Sequence, residues 1–398
     1  MTPLDRPRMP RAVWVLGFVS LFMDMSSELV HAVLPVYLTS ALGLSVLAVG
    51  VIEGIAEATA SMMKLASGVV SDRYAARKPL VLLGYGLAAL TKPVFPLADG
   101  AGGVVAARFV DRLGKGIRGA PRDALVADVT PADMRDAAYG LRQALDTVGA
   151  FIGPLLAMGL IVWWAGDLRA VLWAASVPAA IAVALLAVGL DEPPRAAVPA
   201  RARQRWRWSS LRTLPPAFWG LVVLAALFAV ARLAEAFLVL RAQELSLRLA
   251  LIPLVMIVMS ACYAAAAYPA GLLAARRGRR ALLVAGLLAL VGSFGALGAW
   301  DHAAALWAGV ALYGLHLGLT QGALSAAVAA AAPASLRATA FGVFHFVTGV
   351  FQFGGAALAG WLWTVQGSPS AFALGAGAAL AALAAAWRWG GTGDRSAC

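Results

Sequence analysis

Charge is what this chain has least of. Only 13% of its 398 residues are Asp, Glu, Lys or Arg, while 61% are hydrophobic. A water-soluble domain carries roughly a quarter of its residues as charges to cover its surface, so a soluble globular fold is excluded. Cysteine is almost missing too. Cys262 lies inside an apolar run and Cys398 ends the chain, which leaves no disulfide framework. No His-Glu-x-x-His zinc motif, Gly-x-Ser-x-Gly nucleophile elbow or Gly-x-x-x-x-Gly-Lys-Ser/Thr phosphate loop occurs. These absences argue against a membrane enzyme and against ATP-driven pumping. The polar connections are too short for an added soluble domain, which argues against a sensor or scaffold.

What the chain does have is a succession of apolar runs, each near the ~20 residues that cross a hydrocarbon core as a helix. They fall at 13–38, 46–70, 80–98, 103–126, 137–162, 171–190, 217–240, 249–275, 281–300, 303–330, 338–363 and 371–387. The expectation is an all-α membrane protein of twelve transmembrane helices, because runs this long exceed barrel strands. The N-terminal residues lead into the first run without a small-residue cleavage site, so that run is read as a retained span rather than a signal peptide.

A net charge of +12 is compatible with a nucleic-acid footprint, but its placement argues otherwise. Arg6, Arg8 and Arg11 precede the first run, and Arg73, Arg77 and Lys78 follow the second. Arg122 and Arg135 flank the connection after the fourth. Arg195, Arg201, Arg203, Arg205, Arg207 and Arg212 fill the middle of the chain, and Arg276, Arg277, Arg279 and Arg280 follow the eighth run. The alternate connections hold little beyond Arg169, Arg241 and Arg248. Basic residues accumulate on the cytoplasmic side of membranes and meet anionic lipid there. Both termini and the middle segment are therefore expected in the cytoplasm of a bacterial-type inner membrane, with lipid rather than nucleic acid as the partner of these arginines.

The Pro- and Arg-rich stretch 191–216 reads as a linker between residues 1–190 and 217–398. The two halves repeat. Pro131 to Arg135, followed four residues later by Gly140, recurs as Pro333 to Arg337 and Gly342, an offset of 337 − 135 = 202. Gly153 falls on Gly355 at the same offset. Six spans per half gives a parallel repeat, as in transporters built from matched bundles.

Three motifs then carry a resemblance. Gly68-Val-Val-Ser-Asp72-Arg73-Tyr-Ala-Ala-Arg77-Lys78 follows the second run, and a copy at Gly271 to Arg280 has Ala275 where the acid belongs. Arg112-Leu-Gly-Lys-Gly116 lies on the fourth run. Gly140, Gly149, Gly153 and Pro154 punctuate the fifth. Together with the twelve-span repeat, these resemble the major facilitator superfamily, and the third motif resembles that of its twelve-span drug:proton antiporters. The resemblance implies two pseudo-symmetric six-helix bundles that alternate access to a shared cleft. It implies no cofactor beyond the proton gradient, a small-molecule substrate, and a monomer. Gly68, Asp72, Arg73, Arg77, Gly149, Gly153 and Pro154 become the expected gating residues. Asp72 would pair with arginine as a latch, and the glycine seam is associated with export.

Charged side chains inside membrane spans are costly and mostly functional. Asp24, Glu28 and His31 share a face of the first run at i, i+4 and i+7; Glu53, Glu57 and Lys64 share one on the second. Arg108, Asp111, Arg112, Lys115 and Arg118 stripe the fourth, Lys92 sits on the third, and Arg142 and Asp146 on the fifth. All are expected to converge on a cleft of the N-terminal half. Asp24, Glu28 and Arg112 are the expected proton-coupling set. His31, Glu53, Glu57, Arg108, Asp111, Arg142 and Asp146 would line the substrate cavity, joined from the C-terminal half by His316, Gln321, His345 and Gln352. Arg232 and Glu235 are spaced to pair at i, i+3. Met256 and Met259 have no Cys–His cluster beside them, so no metal site is expected. The leading expectation is proton-coupled export of a small organic compound. The rival is transport of an anionic metabolite or siderophore.

Overall fold

The computed structural model describes residues 9–74, 77–131, 134–190, 214–331 and 337–393. Every regular element among them is helical. In chain order they are α1 (Arg11–Val36), extended by a π-helical turn at Tyr37–Ala41; α2 (Val46–Tyr74); α3 (Arg77–Thr91); α4 (Val94–Leu97); α5 (Ala101–Asp128); α6 (Arg135–Trp163); α7 (Leu168–Ala174); and α8 (Ser176–Gly189). After the interval containing 191–213 come α9 (Pro216–Ala231), α10 (Ala236–Glu244), α11 (Leu254–Arg277), α12 (Arg279–Ala299), α13 (Ala303–Ala331), α14 (Arg337–Gln366) and α15 (Ser368–Gly393).

Among the described residues, eleven helical stretches are long and apolar enough to cross a membrane. The expected fourth span, α5, is missing from that set only because of its charge. Its 28 residues measure about 42 Å at 1.5 Å per residue, ample for a bilayer core. It is built inside out relative to a soluble helix. Arg108, Asp111, Arg112 and Arg118 are buried, while Phe109 is 43% exposed. Where the solvent is lipid, the polar face must turn inward.

Three expected spans are interrupted. The third breaks at Lys92-Pro93, since proline has no N–H to continue the helix. The sixth breaks at Ala175. The seventh, expected as one helix over 217–240, is unwound from Arg232 to Glu235 without any glycine or proline. Such discontinuities survive in lipid only where neighbours satisfy the freed backbone groups. Here the Tyr313 hydroxyl donates to Leu233 O at 2.5 Å.

Grouped by contacts, the chain forms two units. One comprises 1–30, 63–156 and 169–204; the other comprises 31–62, 157–168 and 205–398. The boundary cuts α1 between Val30 and His31 and α2 between Met62 and Met63.

In the first unit, Val13, Leu16, Val19 and Met23 of α1 meet Val81, Tyr85 and Ala88 of α3, with Ala179, Ala182 and Leu186 of α8. The glycine seam brings α6 against α1. A Cβ on Gly149 would stand 2.3 Å from Leu21 O, and one on Gly153 would stand 2.6 Å from Met25 O and 3.1 Å from Glu28 Cβ. Gly140 faces open space, so it is not part of this contact. Gly84 of α3 and Gly114 of α5 pack in the same way: a Cβ on Gly84 would stand 2.6 Å from Gly114 O, and one on Gly114 2.5 Å from Gly84 O.

The second unit reuses these seams at the repeat offset. Gly355, the counterpart of Gly153, would meet Val230 at 3.0 Å, and Val230 is the counterpart of Glu28 (28 + 202 = 230). Gly84 and Gly114 map onto Gly286 and His316 (84 + 202 and 114 + 202). There His316 Nδ1 donates to Gly286 O at 2.8 Å in place of the backbone contact. Within this unit α2 also lies against α14: Gly50 would clash with Ala356 O at 2.5 Å, Gly54 with Phe353, and Gly360 with Leu47. The Leu47 amide donates to Thr364 Oγ1 at 3.1 Å.

Arg241, expected in a loop, is 2% exposed on α10. Its guanidinium donates to Leu297 O at 2.9 Å and Trp300 O at 3.3 Å, to Ser368 Oγ at 3.1 Å, and to Glu244 at 2.8 Å and Asp301 at 2.5 Å. A cation on the last carbonyls of α12 satisfies groups that the helix cannot bond itself, and complements the helix dipole. Arg241→Met is expected to remove five such bonds, lower the midpoint of thermal unfolding measured in detergent, and leave the oligomeric state unchanged.

Candidate functional site

Two groups of charged residues can be described, one within each unit.

In the first unit Asp111 is the hub. Lys92, 1% exposed, donates from Nζ to Asp111 Oδ1 at 2.8 Å and to Ser27 Oγ at 3.3 Å. Arg112 Nε lies 3.7 Å and Arg108 Nη1 4.0 Å from the other carboxylate oxygen. The tight Gly84–Gly114 crossing of α3 and α5 sets Lys92, in the break just past α3, opposite the α5 side chains. Four residues thus hold three cations and one anion.

The charges bearing most on half-buried Asp24 are those of Asp146, Lys115, Arg118 and Arg122. Arg122 donates to Ser20 Oγ at 3.2 Å, and Ser20 pairs with the Tyr85 hydroxyl at 3.2 Å. Arg118 stands over the Tyr85 ring, 4.5 Å from its centre, a cation–π contact strengthened by desolvation. Arg142 pairs with Asp146 one turn along α6 and lies 3.7 Å from Asp123. Glu28 sits on the α1–α6 seam against Gly153. Arg112 belongs to the Asp111 hub, and the charges that bear on Asp24 come from α5 and α6.

Of the expected gating residues, Arg77 bonds Ala124 O at 2.7 Å and Asp128 at 2.5 Å, at the C-terminal end of α5. A cation on a helix C-terminus is favourable. Gly68, Asp72 and Arg73 lie outside the residues whose surroundings are described. Pro154 is buried inside α6.

In the second unit His31, Glu53, Glu57 and Gln352 line a cavity of about 60 Å3 together with Arg232, Glu235 and Tyr313. The floor is the unwound joint between α9 and α10. His31 Nε2 is 3.6 Å from Glu53 and Nδ1 is 3.8 Å from Glu235. Glu235 thus reaches α1 through His31, with Arg232 beside it in the same lining.

The remaining C-terminal candidates do not join this cavity. His316, 1% exposed, is engaged by Gly286 O and packs beside Phe228 and Tyr313. His345 packs on Phe341 and Phe344, and Gln321 is exposed. His316→Leu should cost about 0.5–1.5 kcal/mol, the usual net worth of one hydrogen bond, since Gly286 lies within α12 and its carbonyl keeps its helical partner. His316→Gln should recover part of it, as read by thermal unfolding, and neither should alter substrate affinity. Sequence reasoning missed the unwound joint and Tyr313. Arg232 and Glu235, two charges in an otherwise apolar run, were the available signal.

Comparisons with known proteins agree with this architecture. The family model described as Major Facilitator Superfamily matches residues 16–247 and 233–397. An uncharacterized MFS-type transporter of Methanocaldococcus jannaschii is 29% identical over 361 residues, 89% of each chain. A multidrug resistance protein of Proteus mirabilis is 29% identical over 159 residues, 40% of this chain and 36% of its own. Among solved structures, a peptide transporter crystallised with sulfate superposes with a TM-score of 0.79 at 16% identity, over 97% of this chain and 95% of the other. With the sequence match spanning nearly the whole chain and the helical architecture in accord, this protein belongs to the major facilitator superfamily of membrane transporters.

Proposed function

We propose that the protein is a proton-coupled secondary transporter that exports a small organic compound by alternating access. In this reading α5 completes twelve crossings, arranged as six-helix bundles at 1–190 and 217–398 around the linker 191–216. Both termini lie in the cytoplasm of a bacterial-type inner membrane, and the monomer needs no cofactor besides the proton gradient.

One observation carries this reading. The glycine seam that resembles the antiporter motif packs onto the stretch of α1 that holds the half-buried carboxylates Asp24 and Glu28. Gly149 touches Leu21, and Gly153 touches Met25 and Glu28. A proton taken up or released at those carboxylates changes the charge beside the contact through which α1 and α6 must move. Coupling requires that kind of differential interaction between two states. The partial likeness to a multidrug resistance protein supports the same direction.

Transport in inverted membrane vesicles is the test. An imposed proton gradient should drive accumulation of a hit from a thermal-shift ligand screen, and Glu28→Gln should flatten its pH dependence. Accumulation that ignores the gradient would refute proton coupling; accumulation only in right-side-out vesicles would refute export.

A second reading, transport of an anionic metabolite or siderophore, is favoured by the three cations around Asp111. Under it, a thermal-shift response would appear for carboxylates or phosphates and disappear with Arg112→Gln.

A further inference from the structure

Two arginines lie on the seventh span, and the fold treats them oppositely. Arg241 of α10 is held by five hydrogen bonds. Arg232, at the C-terminal end of α9, is half-buried and lines the cavity of about 60 Å3. Among the described residues its guanidinium has no hydrogen bond and no carboxylate at ion-pair distance. The acids of the cavity are engaged elsewhere. Glu53 and Glu235 flank His31 at 3.6 and 3.8 Å, and Glu57 is not free either. The charge of Arg232 reaches Tyr313 and His316 of α13, and neither supplies an anion. An ionised side chain inside a span is costly and normally pairs within the protein.

Other donors line the same space. Gln352 of α14 is part of the lining, and its amide has no hydrogen bond among the described residues. Ala234 lies in the unwound joint, and its N–H has no backbone acceptor there. The joint also opens the N-terminal end of α10 onto the cavity, with no side chain capping it. Such an end carries partial positive charge. A water-sized group needs about 10–15 Å3 of cavity, so a carboxylate fits without rearrangement. The planar guanidinium can bond both of its oxygens at once.

We propose that Arg232, together with Gln352, binds the carboxylate of the transported compound, which makes the substrate a small organic carboxylate. The site rests on the transport reading only for what becomes of the bound group. It places that group at the joint of the seventh span rather than at the Asp111 cluster.

Binding to the purified full chain in detergent is read from the unfolding midpoint, because a ligand of the native state raises it as occupancy grows. Sodium acetate and sodium benzoate are the probes. Acetamide and benzamide serve as neutral isosteres and inorganic phosphate as a second oxyanion, with ionic strength held constant. The two carboxylates should give a saturable rise, and the two amides none. Arg232→Gln should weaken carboxylate binding by about tenfold or more, the usual scale for a lost charged hydrogen bond. Arg232→Lys keeps the charge without the fork and should retain part of the affinity. Arg248→Gln, which removes an exposed charge outside the cavity lining, should bind as the parent does.

A second readout needs no ligand. Arg232→Gln removes a charge that the fold leaves unpaired, so its unfolding midpoint without any probe should equal or exceed the parent's. Arg232→Met is the independent arm should Arg232→Gln not purify. A carboxylate response that survives in these variants, an equal response to the amides, a response to phosphate alone, or a lowered midpoint without probe would overturn the site. So would a response lost in Arg112→Gln and kept in Arg232→Gln. The vesicle assay separates the site from the transport reading. Carboxylate binding that needs Arg232, with no accumulation in vesicles of either orientation, leaves the site and removes transport. Gradient-driven accumulation that Arg232→Gln does not slow leaves transport and removes the site.

Discussion

Asp111→Ala should destabilise the protein by about 3–5 kcal/mol, the cost typical of removing one partner from a buried ion pair. Most of that cost is not the lost attraction. It is the desolvation of cations that lose a partner while staying buried, since Lys92, Arg108 and Arg112 are respectively 1%, 2% and 5% exposed. The arrangement predicts an asymmetry. Lys92→Met deletes one cation and leaves Asp111 with two, at 3.7 and 4.0 Å, so it should cost less than half as much. Asp111→Asn keeps the shape and an acceptor but removes the charge, and should fall between them. Thermal unfolding of the three variants in one detergent checks the order. Equal losses for Asp111→Ala and Lys92→Met would mean that Asp111 is not the hub.

Gly149→Ala should abolish transport and destabilise the protein by about 1–3 kcal/mol, the usual range for forced overpacking. Its new methyl would sit 2.3 Å from Leu21 O, a backbone atom that cannot rotate away. The only relief is to push α6 off α1, on the turn that carries Asp24. The severity should follow the clearance. Gly153→Ala, at 2.6 Å from Met25 O, comes next, then Gly355→Ala, at 3.0 Å from Val230. Gly140→Ala, which faces open space, should be neutral despite belonging to the same sequence motif. Purified yield, unfolding midpoint and vesicle flux across the four variants test this ranking. A harmless Gly149→Ala would remove the seam from the mechanism.

Much of the architecture is written into the sequence because lipid is an undemanding judge of sequence. A span needs only an apolar run of sufficient length, so helix placement follows from hydropathy, and α5 could be found from its length despite its charge. Interruptions are less legible. Pro93 announces the break in the third span, since proline removes a backbone donor. At Arg232–Glu235 the sequence offers only two charges in an apolar run, and the carbonyl freed there is taken up by Tyr313, 80 residues away in the chain. A long-range hydrogen bond leaves no trace in local propensity.

The same limit governs the charged residues. That Asp24, Glu28, Lys92, Arg108, Asp111 and Arg112 must turn inward was decided by the cost of exposing them to lipid, a property of each residue alone. Which of them meet was decided by helix crossings. Gly84 against Gly114 sets Lys92 opposite Asp111, Gly153 against Met25 sets α6 on Glu28, and the unwound joint delivers Glu235 to His31. Composition and periodicity thus determined that the chain is helical, membrane-spanning, internally repeated and charged within. Only the tertiary structure decided its partners, because a pairing depends on the distance between two backbones, and that distance is set by small side chains far away in the sequence.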